Sequence, residues 1–147
     1  MAVTQVPSTN DRLIVEAEFP SLSPELVFDC WTKPELLCQW WPQEAEVDGR
    51  VGGMYHLSWP KMNWHLRGRY TSYEPGKWLA FTWRWDHDEE GTATREVELL
   101  FEELAGGTRL MLTHGPYTDA VEDQNVRMEH PWEGWKYFLG RLQDLAR

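Results

Sequence analysis

Few residues in this chain of 147 have side chains whose type and spacing suit chemistry. His114 ends the alternating run Arg109-Leu110-Met111-Leu112-Thr113-His114, which puts it at a strand end on the face of Leu110 and Leu112. An inward histidine there can hydrogen-bond a ligand or act as a base, and Tyr55 would be the second acid–base group of an enzyme. No acid can be placed beside His114, so packing on Trp83 and capping backbone is the favoured role. Asp86-His87-Asp88-Glu89-Glu90 has the composition of a metal cluster, but its spacing matches no ligand pattern, so it reads as a solvated hairpin loop. The five histidines contain no HxxxH pair, and no metal or other cofactor is expected. Ser-His-Asp order, GxSxG, a glycine-rich phosphate loop and a dinucleotide fingerprint are all missing from the sequence. Gly52-Gly53 and Gly106-Gly107 read as turn residues. Cys30 and Cys38 form no CxxC pair, and a helical segment between them would hold them too far apart to bridge. Two reduced thiols and a cytoplasmic location are expected.

The remaining candidates are aromatic. Ten residues are tryptophan. Trp83, Trp85 and Trp135 either line a cavity or fill the core. A strip of tryptophan beside tyrosine and histidine suits a flat or aromatic ligand with one polar end. The formal charge of −10 argues against nucleic acid and against an anionic membrane surface as partner. No apolar run approaches the roughly 18 residues of a membrane-spanning helix.

The elements that position these residues follow from periodicity. Residues 1–10 lack the basic and apolar regions of a signal peptide and are expected to form a flexible tail, followed by a single domain over 11–147. Arg12 to Phe19 alternates as a first strand. Ser23-Pro24-Glu25 and Lys33-Pro34-Glu35 start two short helices, with apolar faces at Val27, Phe28 and Trp31 and at Leu36, Leu37, Trp40 and Trp41. Strands are expected at about 52–59, 64–73, 78–85, 94–103 and 108–114, joined by turn signals at 60–63, 74–77, 86–92 and 104–107. Trp132, Trp135, Phe138, Leu139, Leu142 and Leu145 recur at helical spacing after Pro131, which suits the first turn of a long final helix. Strands in one block with helices at the ends give an α+β class, with six to seven strands.

Loop lengths set the register. They pair Trp59 with Trp64, Leu57 with Leu66, Tyr55 with Gly68, Tyr70 with Phe81, Gly68 with Trp83 and Leu66 with Trp85. They also pair Phe101 with Leu110, Leu99 with Leu112 and Val97 with His114, and parity places Trp83 near Val97. His56, Ser58, His65 and Arg67 then share a wet face. The inner face carries one row of Tyr55, Gly68, Trp83, Val97 and His114, and a second of Tyr70, Phe81, Leu99 and Leu112. Gly68 is expected to leave a space there, and Gly134 and Gly140 either permit close approach or leave room.

Several runs resemble one family in order along the chain. They are Val27-Phe28-Asp29-Cys30-Trp31-Thr32-Lys33-Pro34-Glu35-Leu36, Trp40-Trp41-Pro42, Arg50-Val51-Gly52-Gly53, Gly68-Arg69-Tyr70, Leu79-Ala80-Phe81-Thr82-Trp83, Gly107 through His114, and Gly134-Trp135. Together they cover about residues 11–146 and are similar to the START-like (SRPBCC) superfamily, within it to the group of the activator of the heat-shock-protein-90 ATPase. The resemblance implies a helix-grip fold, in which a curved antiparallel sheet holds a long C-terminal helix over a hydrophobic cavity. It gives Trp31, Trp40 and Trp41 packing roles. Pro116 to Met128 fits the family pattern least well.

Three functions are compatible with this reading. The first is binding of a hydrophobic or aromatic small molecule by Tyr55, Leu57, Leu66, Tyr70, Phe81, Trp83, Trp85, Leu99, His114, Trp135 and Leu139. The second is a cyclase- or hydrolase-like enzyme using the same cavity through His114 and Tyr55. The third is a chaperone-interacting module without a ligand. Either a monomer or a homodimer is compatible with all three.

Overall fold

The computed structural model describes residues 3–145, apart from the side chains of Glu129 and His130. Its framework is one eight-stranded antiparallel sheet in the order β1-β2-β8-β7-β6-β5-β4-β3. The strands are β1 (Val3–Val6), β2 (Leu13–Phe19), β3 (Glu44–Val47), β4 (Met54–Trp59), β5 (Trp64–Glu74), β6 (Trp78–Trp85), β7 (Arg95–Leu104) and β8 (Gly107–Gly115). Helices α1 (Pro24–Thr32) and α2 (Pro34–Trp40) follow β2, and α3 (Val121–Arg127) and α4 (Glu133–Leu145) follow β8. This is an α+β helix-grip fold.

The sheet is wider than expected because each edge carries a four-residue strand too short to give a periodic signal. Residues 3–6, expected as loose tail, pair with β2 from Val3↔Ala17 to Val6↔Ile14. Residues 1–2 and 146–147 of the expected tail and domain lie outside the described residues. At the other edge β3 pairs with β4 from Glu44↔Ser58 to Val47↔Tyr55.

Local chemistry explains the helix starts. Ser23 Oγ accepts from Leu26 N at 3.2 Å and Pro24 opens the first turn, which satisfies a donor that a helix start leaves free. Pro34 repeats the device after Lys33. α1 buries Val27, Phe28 and Trp31; α2 buries Leu37 and Trp40. Trp40 Nε1 donates to Cys30 O at 2.9 Å, tying the two helices together.

The last helical segment begins earlier than Pro131 suggests. Pro131 lies inside a π-helical turn, Met128–Trp132, that joins α3 to α4. A proline within a helix has no N–H to give and crowds the preceding turn, so the helix widens there instead of starting there. α4 buries Trp135, Leu139 and Leu142 at spacings of four and three, and Leu145 is left exposed. Gln143 Nε2 donates to Glu18 O at 3.0 Å, fixing the helix end to β2.

The hairpin registers agree with the loop arithmetic for β4–β5 and β7–β8. Between β5 and β6 a bulge at Thr71 separates Tyr70↔Phe81 from Ser72↔Ala80, so a three-residue turn still yields Leu66↔Trp85. The β6–β7 register differs from the parity expectation. Phe81, not Trp83, faces Val97, and Trp83 faces Arg95. The inner rows are therefore Tyr70-Phe81-Val97-His114-Leu13 and Leu79-Leu99-Leu112-Val15, two residues away from those expected. The wet face is also less wet than its sequence suggests, since Ser58 is buried. There His56 Nε2 and His65 Nδ1 lie 2.8 Å apart.

Candidate functional site

Gly68 does not leave a cavity. A Cβ built on it would lie 2.1 Å from Thr82 O and 2.5 Å from the Tyr55 ring. The Tyr55 ring crosses the glycine, and its hydroxyl donates to Thr82 O at 2.5 Å. The missing side chain thus makes room for a neighbouring ring and a carbonyl, not for a ligand. Tyr55, Leu57, Tyr70 and Phe81 surround only about 10 Å³ there, room for one water at most. Together with Leu66, Leu99 and Leu139 they form closed core. None of these seven residues, expected to bind a ligand, lines the larger cleft. Burial raises the pKa of Tyr55 well above the ordinary phenol value, so its hydroxyl stays protonated and committed to Thr82.

The open space lies further along the same face. A cleft of about 690 Å³ is lined by Trp83, Trp85, His114 and Trp135, the four expected residues that the structure brings together. Trp41, Trp59, Trp64 and Phe138 add further aromatic wall, and Pro131 and Gly134 form the α4 side. The size is that of an ordinary small-molecule site. Each element delivers its residues for a local reason. Trp59 and Trp64 are cross-strand partners on the face of Leu57 and Leu66, one step beyond Leu66↔Trp85. Parity therefore already pointed to them. Trp41 follows the last turn of α2 and stacks on Trp83 at 5.9 Å, so it lines the cleft besides packing the helix. Gly134 faces open space, which leaves room rather than permitting close approach; a Cβ on Gly140 likewise meets nothing within 4 Å.

The 86–94 loop is more than a solvated connection. His87, Asp88, Glu89, Thr92 and Ala93 form part of the wall. Asp88 Oδ2 accepts from Trp85 N at 3.0 Å, and the His87 ring stacks on Trp85 at 5.5 Å. Asp86 turns away and binds Arg67 at 2.9 Å. Among the described residues no three histidine, cysteine or carboxylate side chains converge as a metal site.

His114 is fully buried at the back of the cleft. Its Nδ1 accepts from Trp135 Nε1 at 3.0 Å, and its ring meets Trp83 edge-on at 4.6 Å. Burial first, and the Arg95 guanidinium second, hold its pKa down to about 3, so the ring is neutral at physiological pH. A neutral ring that accepts at Nδ1 carries its proton on Nε2. No lone pair is then left to abstract a proton, which does not suit a general base. Tyr55 lies outside the cleft, so the expected acid–base couple is not assembled.

Sequence reasoning missed a polar group beside His114. Arg95 binds Asp123 at 2.8 Å, and its guanidinium stands 4.1 Å above the Tyr117 ring. Arg95 also donates to Pro116 O. These residues lie in the 116–128 stretch or at the β7 start, where no periodicity marks an inward side chain. α3 buries none of its residues. It is held by Arg95–Asp123, by Gln124 Nε2 donating to Asn10 O at 2.8 Å and by Arg127 donating to Arg12 O at 3.2 Å.

Comparison with known proteins places this architecture. No curated protein matches the sequence. Among solved structures, an HSP90 activator from Plasmodium falciparum is 22% identical over 91% of this chain and 94% of that one, with a TM-score of 0.74. The Aha1 dimer from Colwellia psychrerythraea is 19% identical, covering 92% and 95%, with a TM-score of 0.76. CalU16 from Micromonospora echinospora is 23% identical, covering 99% and 83%, with a TM-score of 0.72. Likeness at these identities establishes the fold. The family model described as Activator of Hsp90 ATPase homolog 1-like protein matches residues 21–147, and the chain belongs to that family.

Proposed function

We propose that the protein binds a hydrophobic, largely aromatic small molecule in the cleft between the sheet and α4. The observation that carries this reading is the tryptophan-walled space of about 690 Å³ beside a core that is otherwise closed. Aromatic faces bury much area for little conformational entropy, and cavities of this size commonly hold small ligands. The test is a titration with flavonoids, polyketides and lipids, read by tryptophan fluorescence and melting temperature. A ligand that occupies the cleft quenches or shifts the emission of Trp83, Trp85 and Trp135 and raises the melting temperature. A panel that moves neither signal counts against the reading.

A second reading, a chaperone-interacting module, is favoured by the family and by the HSP90 activators among its structural relatives. It predicts stimulation of the chaperone's ATPase by the ligand-free protein. An enzyme built on His114 has less support, because the imidazole offers no free lone pair.

A further inference from the structure

Two polar atoms on the cleft side of the molecule have no hydrogen-bond partner among the described residues: His114 Nε2 and the Tyr117 hydroxyl. Both residues belong to the cleft wall, and their rings lie 6.0 Å apart. His114 is fully buried, and Tyr117 exposes 4% of its surface. Because Trp135 occupies Nδ1, the orphan nitrogen is a fixed N–H donor. An unpaired buried donor is costly, so whatever pairs with it is favoured strongly.

The charges nearby narrow the partner further. The wall carries three carboxylates, Asp88, Glu89 and Asp123, and one guanidinium, Arg95, for a sum of 1 − 3 = −2. Arg95 is already committed to Asp123, to Pro116 O and to the face of Tyr117. No lining cation is left to receive an anionic headgroup, and a carboxylate would be desolvated beside like charge.

We propose that the cleft selects an uncharged planar aromatic molecule bearing a carbonyl oxygen, with that oxygen accepting hydrogen bonds from His114 Nε2–H and the Tyr117 hydroxyl. The proposal rests on the ligand-binding reading above. Trp41, Trp83 and Trp135 supply the faces, and the two donors fix one end. Both donor atoms are buried in the ligand-free protein, so contact with the oxygen requires Tyr117 and the neighbouring α3, which buries none of its residues, to shift on binding.

Three matched probes test it on the full chain by calorimetry: 9-fluorenone, fluorene, and 9-fluorenone-4-carboxylate. Fluorenone is expected to bind about tenfold more tightly than fluorene, towards the low end of the 5- to 150-fold that one rescued buried donor supplies. The carboxylate is expected to bind at least about tenfold more weakly than fluorenone. Tyr117→Phe removes one donor, and His114→Asn removes the other while keeping an acceptor for Trp135; each is expected to lower the fluorenone-to-fluorene ratio several-fold. Equal binding of fluorenone and fluorene would overturn the proposal and leave the cleft as a ligand site, its donors met by water. A ratio unmoved by both variants would overturn it too, as would a carboxylate that binds as well as the ketone. If none of the three probes binds, the proposal is overturned, while the ligand-binding reading itself is decided by the wider panel of flavonoids, polyketides and lipids.

Discussion

Acidification should destabilise this protein through His114 in particular. The folded state holds the imidazole neutral, with a pKa near 3 against an ordinary value of 6.5. Between those two values the unfolded chain binds a proton there that the folded chain refuses, so stability rises with pH. The contribution is complete above about pH 6.5 and is lost progressively as pH falls towards 3. From pH 7 to pH 5 the loss from this one group is about 2 kcal/mol, taking about 1.36 kcal/mol per pH unit below 6.5. For a chain of this size that is a fall of about 4–8 °C in melting temperature. Other groups titrate over the same range, so the comparison must be with a variant that cannot titrate. His114→Asn is suited to this, because its side-chain oxygen can replace Nδ1 as acceptor for Trp135 Nε1. Urea unfolding of both proteins at pH 7 and pH 5 isolates the effect. The wild type should lose about 2 kcal/mol more than the variant. Equal losses would refute the reasoning, since they would mean that His114 gains its proton without cost in the fold.

Two further predictions concern the closed core and its boundary with the cleft. Gly68→Ala drives a methyl into Thr82 O and the Tyr55 ring; the backbone contact cannot swing aside, so a loss of about 3 kcal/mol or more is expected in denaturant melts, and Tyr55→Leu should restore only part of it. Trp40→Ala should cost about 3–5 kcal/mol, because the ring is 1% exposed and bonded to Cys30 O, whereas Trp64→Ala at the cleft edge, 41% exposed, should cost under about 1 kcal/mol and weaken binding of an aromatic probe instead.

Most of the fold was legible in the sequence because its signals are local. Proline after Ser23 and Lys33 marks two helix starts, and short turns at 60–63 and 104–107 lock registers that the sheet obeys. The edge strands were not legible, since Val3–Val6 and Glu44–Val47 are stabilised by their neighbours and are too short to show a period. Where a connection is long, parity alone cannot count residues, and the 86–94 loop shifted Trp83 from Val97 to Arg95. That shift puts His114 in the row of Phe81 instead of that of Trp83. The pocket expected at Gly68 fails for a separate reason: the β5–β6 register around it is as expected, but the Tyr55 ring and Thr82 O occupy the space the glycine leaves. The aromatic half of the cleft was readable, since Trp59, Trp64 and Trp85 share one face by alternation. Its polar half was not: Arg95, Tyr117 and Asp123 meet only through tertiary packing of an irregular stretch.

Native mass spectrometry tests the central claim most directly. If the tryptophan-walled cleft holds a small molecule, freshly purified protein should carry a non-covalent mass increment, or acquire one on incubation with 9-fluorenone, and should lose it on denaturation. A spectrum with the bare chain mass alone, unchanged by fluorenone and by the wider aromatic panel, would contradict the account.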